Sequence, residues 1–143
     1  MAKLRHIAIS SQDANKTADF YMKVFGMKKL RTTDRPTHYG HILTDGYINL
    51  AVLNYKTDAV AGPEFGASFS GLHHIGFQVD SVEETAGALE TNGGAMRDDI
   101  DEGFGIKPSG VKGKGEYKFG GPDKVIIDLS ESGWQWDQNQ ASM

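Results

Sequence analysis

Two hydrophobic rhythms take turns along this chain. From Lys3 to Ser10 the pattern alternates, with Ile7 and Ile9 on one side and His6, Ala8 and Ser10 on the other, as side chains of a strand do. Ala18, Tyr21, Met22 and Phe25 then recur at helical spacing, forming one face of a helix that Asp13 can cap and Gly26 can end. Met27 to Thr32 is predicted as a second strand, followed by a loop through Asp34, Arg35 and Pro36. Thr37 to Thr44 and Tyr47 to Leu53 are predicted as a hairpin across Asp45-Gly46, because both turn positions favour positive φ. The result is a β-α-β-β-β unit.

The same order starts again at Leu72. Leu72 to Val79 alternates, Ser81 and Glu84 form a capping box, and Val82, Ala86 and Leu89 supply the buried stripe of a helix stopped by Gly93-Gly94. Ala95 to Asp99 is predicted as a strand, Gly103 to Gly115 as a loop at a cavity mouth, and Gly115 to Phe119 with Lys124 to Ser130 as a closing hairpin. Leu4, His6, Ile7, Thr17, Ala18 and Gly26 reappear as Leu72, His74, Ile75, Thr85, Ala86 and Gly94, all at an offset of 68. Six coincidences at one spacing mark a duplicated module. The first module covers about 3–54, a connector with Gly62-Pro63 and Gly66 about 55–70, the second module about 71–132, and a tail with Trp134 and Trp136 residues 133–143. The polar end of that tail is expected to fray.

Length and charge narrow the class. With 143 residues the chain fits one domain whose half-sized modules share a core. A net charge of −4 without a basic stripe argues against nucleic acid or an anionic membrane as partner. No apolar run is long enough to span a bilayer, and no signal-peptide pattern is present. The absence of cysteine excludes disulfides and thiolate metal sites, and a cytoplasmic protein is expected.

Each module's helix covers the apolar row of its strands, so the polar row faces the other way. Counting odd and even positions places His6, Asn49, His74 and Asp128 on this open face. An ionised carboxylate on a largely apolar wall is costly unless paired or bound to a cation. Two imidazoles and a carboxylate form a facial set that holds a divalent ion, with Fe, Mn, Ni and Zn as candidates, and leaves positions for substrate. Asn49 is a further weak ligand or a hydrogen-bond donor behind the others. The metal-free alternative has Asp128 bonded to an imidazolium or a nearby lysine. A two-residue turn at Asp45-Gly46 pairs Thr44 with Tyr47 and turns His38 inward and His41 towards the helix. His73 is expected on the face opposite His74. Tyr47 and Tyr117 could donate to a bound oxygen or simply pack, and Glu116 is a candidate base if the last hairpin turns it inward. Lys112 and Lys114 could attract an anion or stay solvated, and Trp134 and Trp136 could cover the cavity, pack, or meet a partner.

The strings His6 to Ile9, Asp19 to Gly26, His73 to Phe77 and Gly121 to Leu129 resemble the vicinal oxygen chelate superfamily. That group includes glyoxalase I, methylmalonyl-CoA epimerase, extradiol dioxygenases and the bleomycin and fosfomycin resistance proteins. The resemblance implies an α+β, glyoxalase-like fold, in which two paired βαβββ modules form one curved mixed sheet around a cavity with helices outside. It implies metal ligands at His6, His74 and Asp128, with Asn49 where glyoxalases carry a carboxylate or Gln, a small-molecule substrate chelated through adjacent oxygens, and a homodimer. Two His and one carboxylate match the extradiol dioxygenases best, although these normally use Glu where this chain has Asp128. Dioxygenase-type chemistry is therefore expected slightly ahead of glyoxalase-type lyase or isomerase chemistry, with a non-catalytic antibiotic-binding protein as the other class.

Overall fold

The structure, a computed structural model, describes residues 1–105 and 115–140. Its elements run β1 (Lys3–Ser10), α1 (Ala14–Phe25), β2 (Lys28–Asp34), β3 (His38–Thr44), β4 (Asn49–Tyr55), α2 (Asp58–Ala61), β5 (Gly71–Gln78), α3 (Val82–Thr91), β6 (Ala95–Met96), α4 (Asp98–Gly103), β7 (Glu116–Gly120) and β8 (Ile126–Ser130). The strands form a single mixed sheet in the order β2-β3-β4-β1-β5-β8-β7-β6. Each half repeats one arrangement, with its first strand parallel to its last. The halves meet where β1 and β5 run antiparallel, with Ile7 opposite its own duplicate Ile75. Among the described residues no helix is long and apolar enough to cross a membrane.

Local chemistry explains the elements. Asp13 accepts from the Lys16 amide to start α1, and Gly26 in the left-handed conformation ends it. Ser81 caps α3 by accepting from the Glu84 amide. Ala14 and Ala18 of α1 pack on Leu43, Leu50 and Val52, while Val82 and Ala86 of α3 pack on Phe119 and Leu129. Burying a side chain such as Leu43 or Phe119 fully contributes about 1.5–3 kcal/mol, so these two patches hold α1 and α3 to one side of the sheet. The opposite face carries the cavity and a third cluster, in which Val60 and Ala61 of α2 pack with Ala8, Ile42, Ala51, Leu53 and Tyr55.

Three expectations need correction. β4 begins at Asn49 rather than Tyr47, because the Asp45 carboxylate accepts from the Tyr47 and Ile48 amides and draws both residues into the turn. Thr44 consequently pairs with Asn49. The slip from the expected register is two residues, which leaves the faces of His38, His41 and Asn49 as expected and removes only Tyr47 from its row. The strand expected over Ala95 to Asp99 stops at Met96, and Asp98, Asp99 and Asp101 start α4, where carboxylates suit a helix N-terminus better than a strand. The connector also contains α2, capped by Thr57.

The seam is irregular at two places. Pairing along β1 and β5 skips Arg5 on one strand and His73 on the other. Each is a bulge, and the two positions are 68 residues apart, so they are duplicates of one another. A bulge breaks alternation, which overturns the expectation for His73: its ring lies on the cavity side, against Tyr55 and His74.

Candidate functional site

His6 on β1, His74 on β5, Glu116 on β7 and Asp128 on β8 bring four ligand atoms within 4.8 Å of one another. The Nε2 atoms of His6 and His74 are 3.1 Å apart, and Asp128 Oδ2 lies 3.1 Å from the second and 4.0 Å from the first. His6, His74 and Asp128 are buried, whereas the Glu116 side chain is 44% exposed at the edge of the cluster. Beside it opens a cavity of about 500 Å³, whose further walls include Arg35, His38, Tyr55, Phe104 and Trp134. Trp134 stacks on His6 with ring centres 4.8 Å apart and crosses Gly76, where a Cβ would fall 2.7 Å from the indole.

The hydrogen bonds behind the rings decide where their protons are. Asn49 Nδ2 donates to the Gln135 carbonyl at 2.6 Å, which leaves Asn49 Oδ1 to accept from His6 Nδ1–H at 2.7 Å. His73 Nε2–H donates to the Ala61 carbonyl at 2.6 Å, and His73 Nδ1 is 2.8 Å from His74 Nδ1. His6 therefore turns an unprotonated Nε2 towards Asp128, and a proton on His74 Nδ1 would leave His74 doing the same. Two ring Nε2 atoms and Asp128 Oδ2 so placed form a donor set that a cation satisfies, and the Lys118 ammonium already meets the carboxylate. One shared proton would serve poorly, because burial, then Lys118, His6 and His73, push His74 well below the ordinary histidine range. The donor set suits a divalent ion held by nitrogen and oxygen.

Lys118, which sequence reasoning did not single out by number, is the nearby lysine of the metal-free alternative. It lies opposite Asp128 across β7 and β8, and its Nζ donates to Asp128 Oδ1 at 2.8 Å and Oδ2 at 2.9 Å. Glu116 Oε1 is 3.8 Å away and the Phe104 ring centre 5.5 Å. Burial opposes the charged form of Asp128, yet the Lys118 ammonium outweighs it and holds the carboxyl below its usual range. Lys118 is shifted the other way, since the attraction of Asp128 and Glu116 exceeds the cost of burying its charge. Glu116, although nearly half open to solvent, is raised by the partial loss of solvent around it and then by its neighbour Asp128. The parity that selects Asp128 would have selected Lys118 too, once the hairpin register was known.

The other candidates divide by face. Glu116 joins the cluster, as expected for an inward turn of β7. Tyr117 points to the helix side and packs in the patch of Val82 and Phe119. Tyr47, expected on the inward row, sits in the turn, 57% exposed beneath the Arg5 guanidinium. His38 lines the cavity but bonds to Thr37 and stays outside the cluster. His41 faces α1, as expected, and donates to Asn15 Oδ1 at 2.6 Å. Asn49 supports His6 from behind, as an acceptor to its ring. Lys112 and Lys114 lie outside the described residues. Asp101 was not singled out by any pattern: it lines the cavity at 2% exposure, its Oδ2 has no partner, and burial pushes its pKa up to about 6.

Comparison with known proteins finds a match over residues 3–120 to the family model described as Glyoxalase/Bleomycin resistance protein/Dioxygenase superfamily. A lactoylglutathione lyase of Escherichia coli O157:H7 is 31% identical over 100 residues, covering 64% of this chain and 69% of that protein. A lactoylglutathione lyase of Shigella flexneri matches to the same extent. Among solved structures, a hypothetical protein from Bacillus halodurans C-125 has a TM-score of 0.66 at 22% identity, covering 99% of both chains. A methylmalonyl-CoA epimerase in complex with methylmalonyl-CoA and NH4+ has a TM-score of 0.64 at 21% identity, covering 90% of this chain and 93% of that one. At such identities the structural likeness shows the fold.

Proposed function

The chain belongs to the Glyoxalase/Bleomycin resistance protein/Dioxygenase superfamily, and from that membership we propose that it is a divalent-metal enzyme moving a proton on a small molecule with two adjacent oxygens. The observation that carries this reading is the meeting of the His6 and His74 Nε2 atoms with the Asp128 carboxylate. His6, His74, Asp128 and Glu116 would hold the ion, with Fe, Mn, Ni and Zn as candidates. When bound, it supplies Lewis-acid polarisation of the substrate oxygens.

The chain's own groups supply the rest. Glu116 is the candidate base: it stands between the cluster and solvent, and its raised pKa brings it closer to the operating range of a proton carrier. Lys118 keeps Asp128 ionised and places positive charge where an oxyanion would form on the substrate. Trp134 and Phe104 line the cavity with apolar rings. Glu116 is also what favours lyase or isomerase chemistry over oxygenase chemistry, because a carboxylate at the open edge offers both a base and an additional ligand.

The test is metal analysis of purified protein, with deuterium incorporation from D2O followed on a panel including lactoylglutathione and methylmalonyl-CoA. Wild type should retain a divalent ion and exchange a C–H next to a carbonyl, His74→Ala should lose both, and Glu116→Gln should lower exchange by about 10²–10⁴-fold. Oxygen consumption on catechols, undiminished in Glu116→Gln, would point to the oxygenase instead.

A second reading is favoured by one observation, the ammonium of Lys118 already seated on Asp128. On that reading the protein binds its small molecule without a metal. EDTA would leave its melting temperature unchanged while ligands raise it.

A further inference from the structure

The structure assigns to His73 a positioning role that neither the family strings nor the ligand count reveals: we propose that it locks the proton of His74 onto Nδ1 and so keeps the Nε2 lone pair turned into the ligand cluster. Three contacts in series carry this. The Ala61 carbonyl can only accept, so at 2.6 Å it requires the His73 proton on Nε2. His73 Nδ1 then carries a lone pair, and 2.8 Å away His74 Nδ1 must supply the hydrogen. Tyr55 Oη also approaches His73 Nδ1, but at 3.4 Å, and its donation would leave the two Nδ1 lone pairs facing each other at 2.8 Å.

The opposite polarity is closed. It would set a bare His73 Nε2 against the Ala61 oxygen, or require an imidazolium among the rings of Tyr55, Phe65 and Phe69. The bulge makes the series possible, because regular alternation would send adjacent histidines to opposite faces. On the other half His6 receives the same service from Asn49, so the two imidazoles are held by different means. Without His73 the simplest relaxation moves the His74 proton to Nε2, where it can donate to Asp128 Oδ2 at 3.1 Å. The lone pair then leaves the cluster.

The affinity part of this inference rests on the metal reading, whereas the tautomer part does not. His73→Phe keeps an aromatic ring in the aromatic pocket and removes the acceptor, and His73→Asn offers an amide oxygen near the place of Nδ1. Long-range proton–nitrogen NMR of the metal-free protein reports the His74 tautomer, and calorimetry with Zn²⁺ alone reports affinity. Wild type and His73→Asn should show Nδ1–H at His74, and His73→Phe should show Nε2–H with Zn²⁺ binding weakened about 10–100-fold. A His73→Phe variant that keeps Nδ1–H, or binds Zn²⁺ as wild type does, overturns the proposal. Loss of the Nδ1–H signal in both variants overturns it too, since only a general packing role would explain it. If wild type takes up no Zn²⁺ yet the tautomer switches in His73→Phe alone, the lock stands and the metal reading falls.

Discussion

Lys118 and Asp128 form a buried ion pair whose members depend on each other, because either charge alone would be stranded in a dry wall. Replacing Lys118 with Met should lower unfolding free energy by about 3–5 kcal/mol, as removing one partner of a buried pair does. Urea denaturation without metal measures it, and Zn²⁺ should restore more stability to the variant than to wild type. Equal responses would show that the ammonium does not compete with an ion for Asp128. Asp101 makes the opposite case, a buried carboxylate with an orphaned oxygen. Its pKa rises from 3.8 unfolded to about 6 folded, so the folded state binds the proton more tightly. Stability is then lost as pH climbs from about 4 to about 6, and the full penalty, at most about 3 kcal/mol, applies above that window. Asp101→Asn should be more stable than wild type at pH 7.5 and equal to it at pH 4. A difference that ignores pH would assign the effect to packing. The faces of His6, His74 and Asp128 were legible because alternation holds along β8 and along the parts of β1 and β5 that follow their bulges. Lys118 was not, since its face depends on a hairpin register that Gly120 to Asp123 leave open. Asp101 follows neither rhythm.

At the scale of elements, strands and helices whose caps and periodicity agree were readable almost to the residue: β1 and α1 fall where Ile7, Ile9, Asp13 and Gly26 put them. Elements decided by side-chain to backbone bonds were not, as the Asp45 turn and the acidic start of α4 show. Bulges leave no mark in a hydrophobic pattern, so the place of His73 had to come from the pairing of β1 with β5. The same strand carries another constraint at Gly76, above which the Trp134 ring lies. Gly76→Ala would push a methyl group within 2.7 Å of the indole and 2.9 Å of His6 Cβ, which the neighbours must yield to. The expected cost is about 1–3 kcal/mol, with a change in tryptophan fluorescence if the tail is displaced. Unaltered fluorescence with full stability would mean that the tail moves freely over β5.

The whole molecule is more symmetric than its site. In the first half Asn49 pairs directly with His6, whereas in the second Asp128 pairs with Gly76, two residues beyond His74. The carboxylates come from the second half alone, and the tail that follows them returns to the first half: Gln135 accepts from Asn49 and the Trp136 carbonyl from Thr44. A chain ending at Ser132 should keep both modules' secondary structure by circular dichroism, but bind Zn²⁺ at least about 10-fold more weakly because His6 loses its support through Asn49. Wild-type affinity in the shortened chain would refute this long-range dependence. The fold was legible from repetition and the meeting of His6, His74 and Asp128 from parity, while this division of labour appears only once the strands are paired.

The matched kinks at Arg5 and His73 look back to a time before the two halves were one polypeptide. A half-length ancestor associating with its own copy along that edge would already have brought two identical imidazoles together at the axis. Fusion then freed each half to diverge, one acquiring an amide and the other an acid. Selection could thus refine a cluster of imidazoles without ever having to invent it.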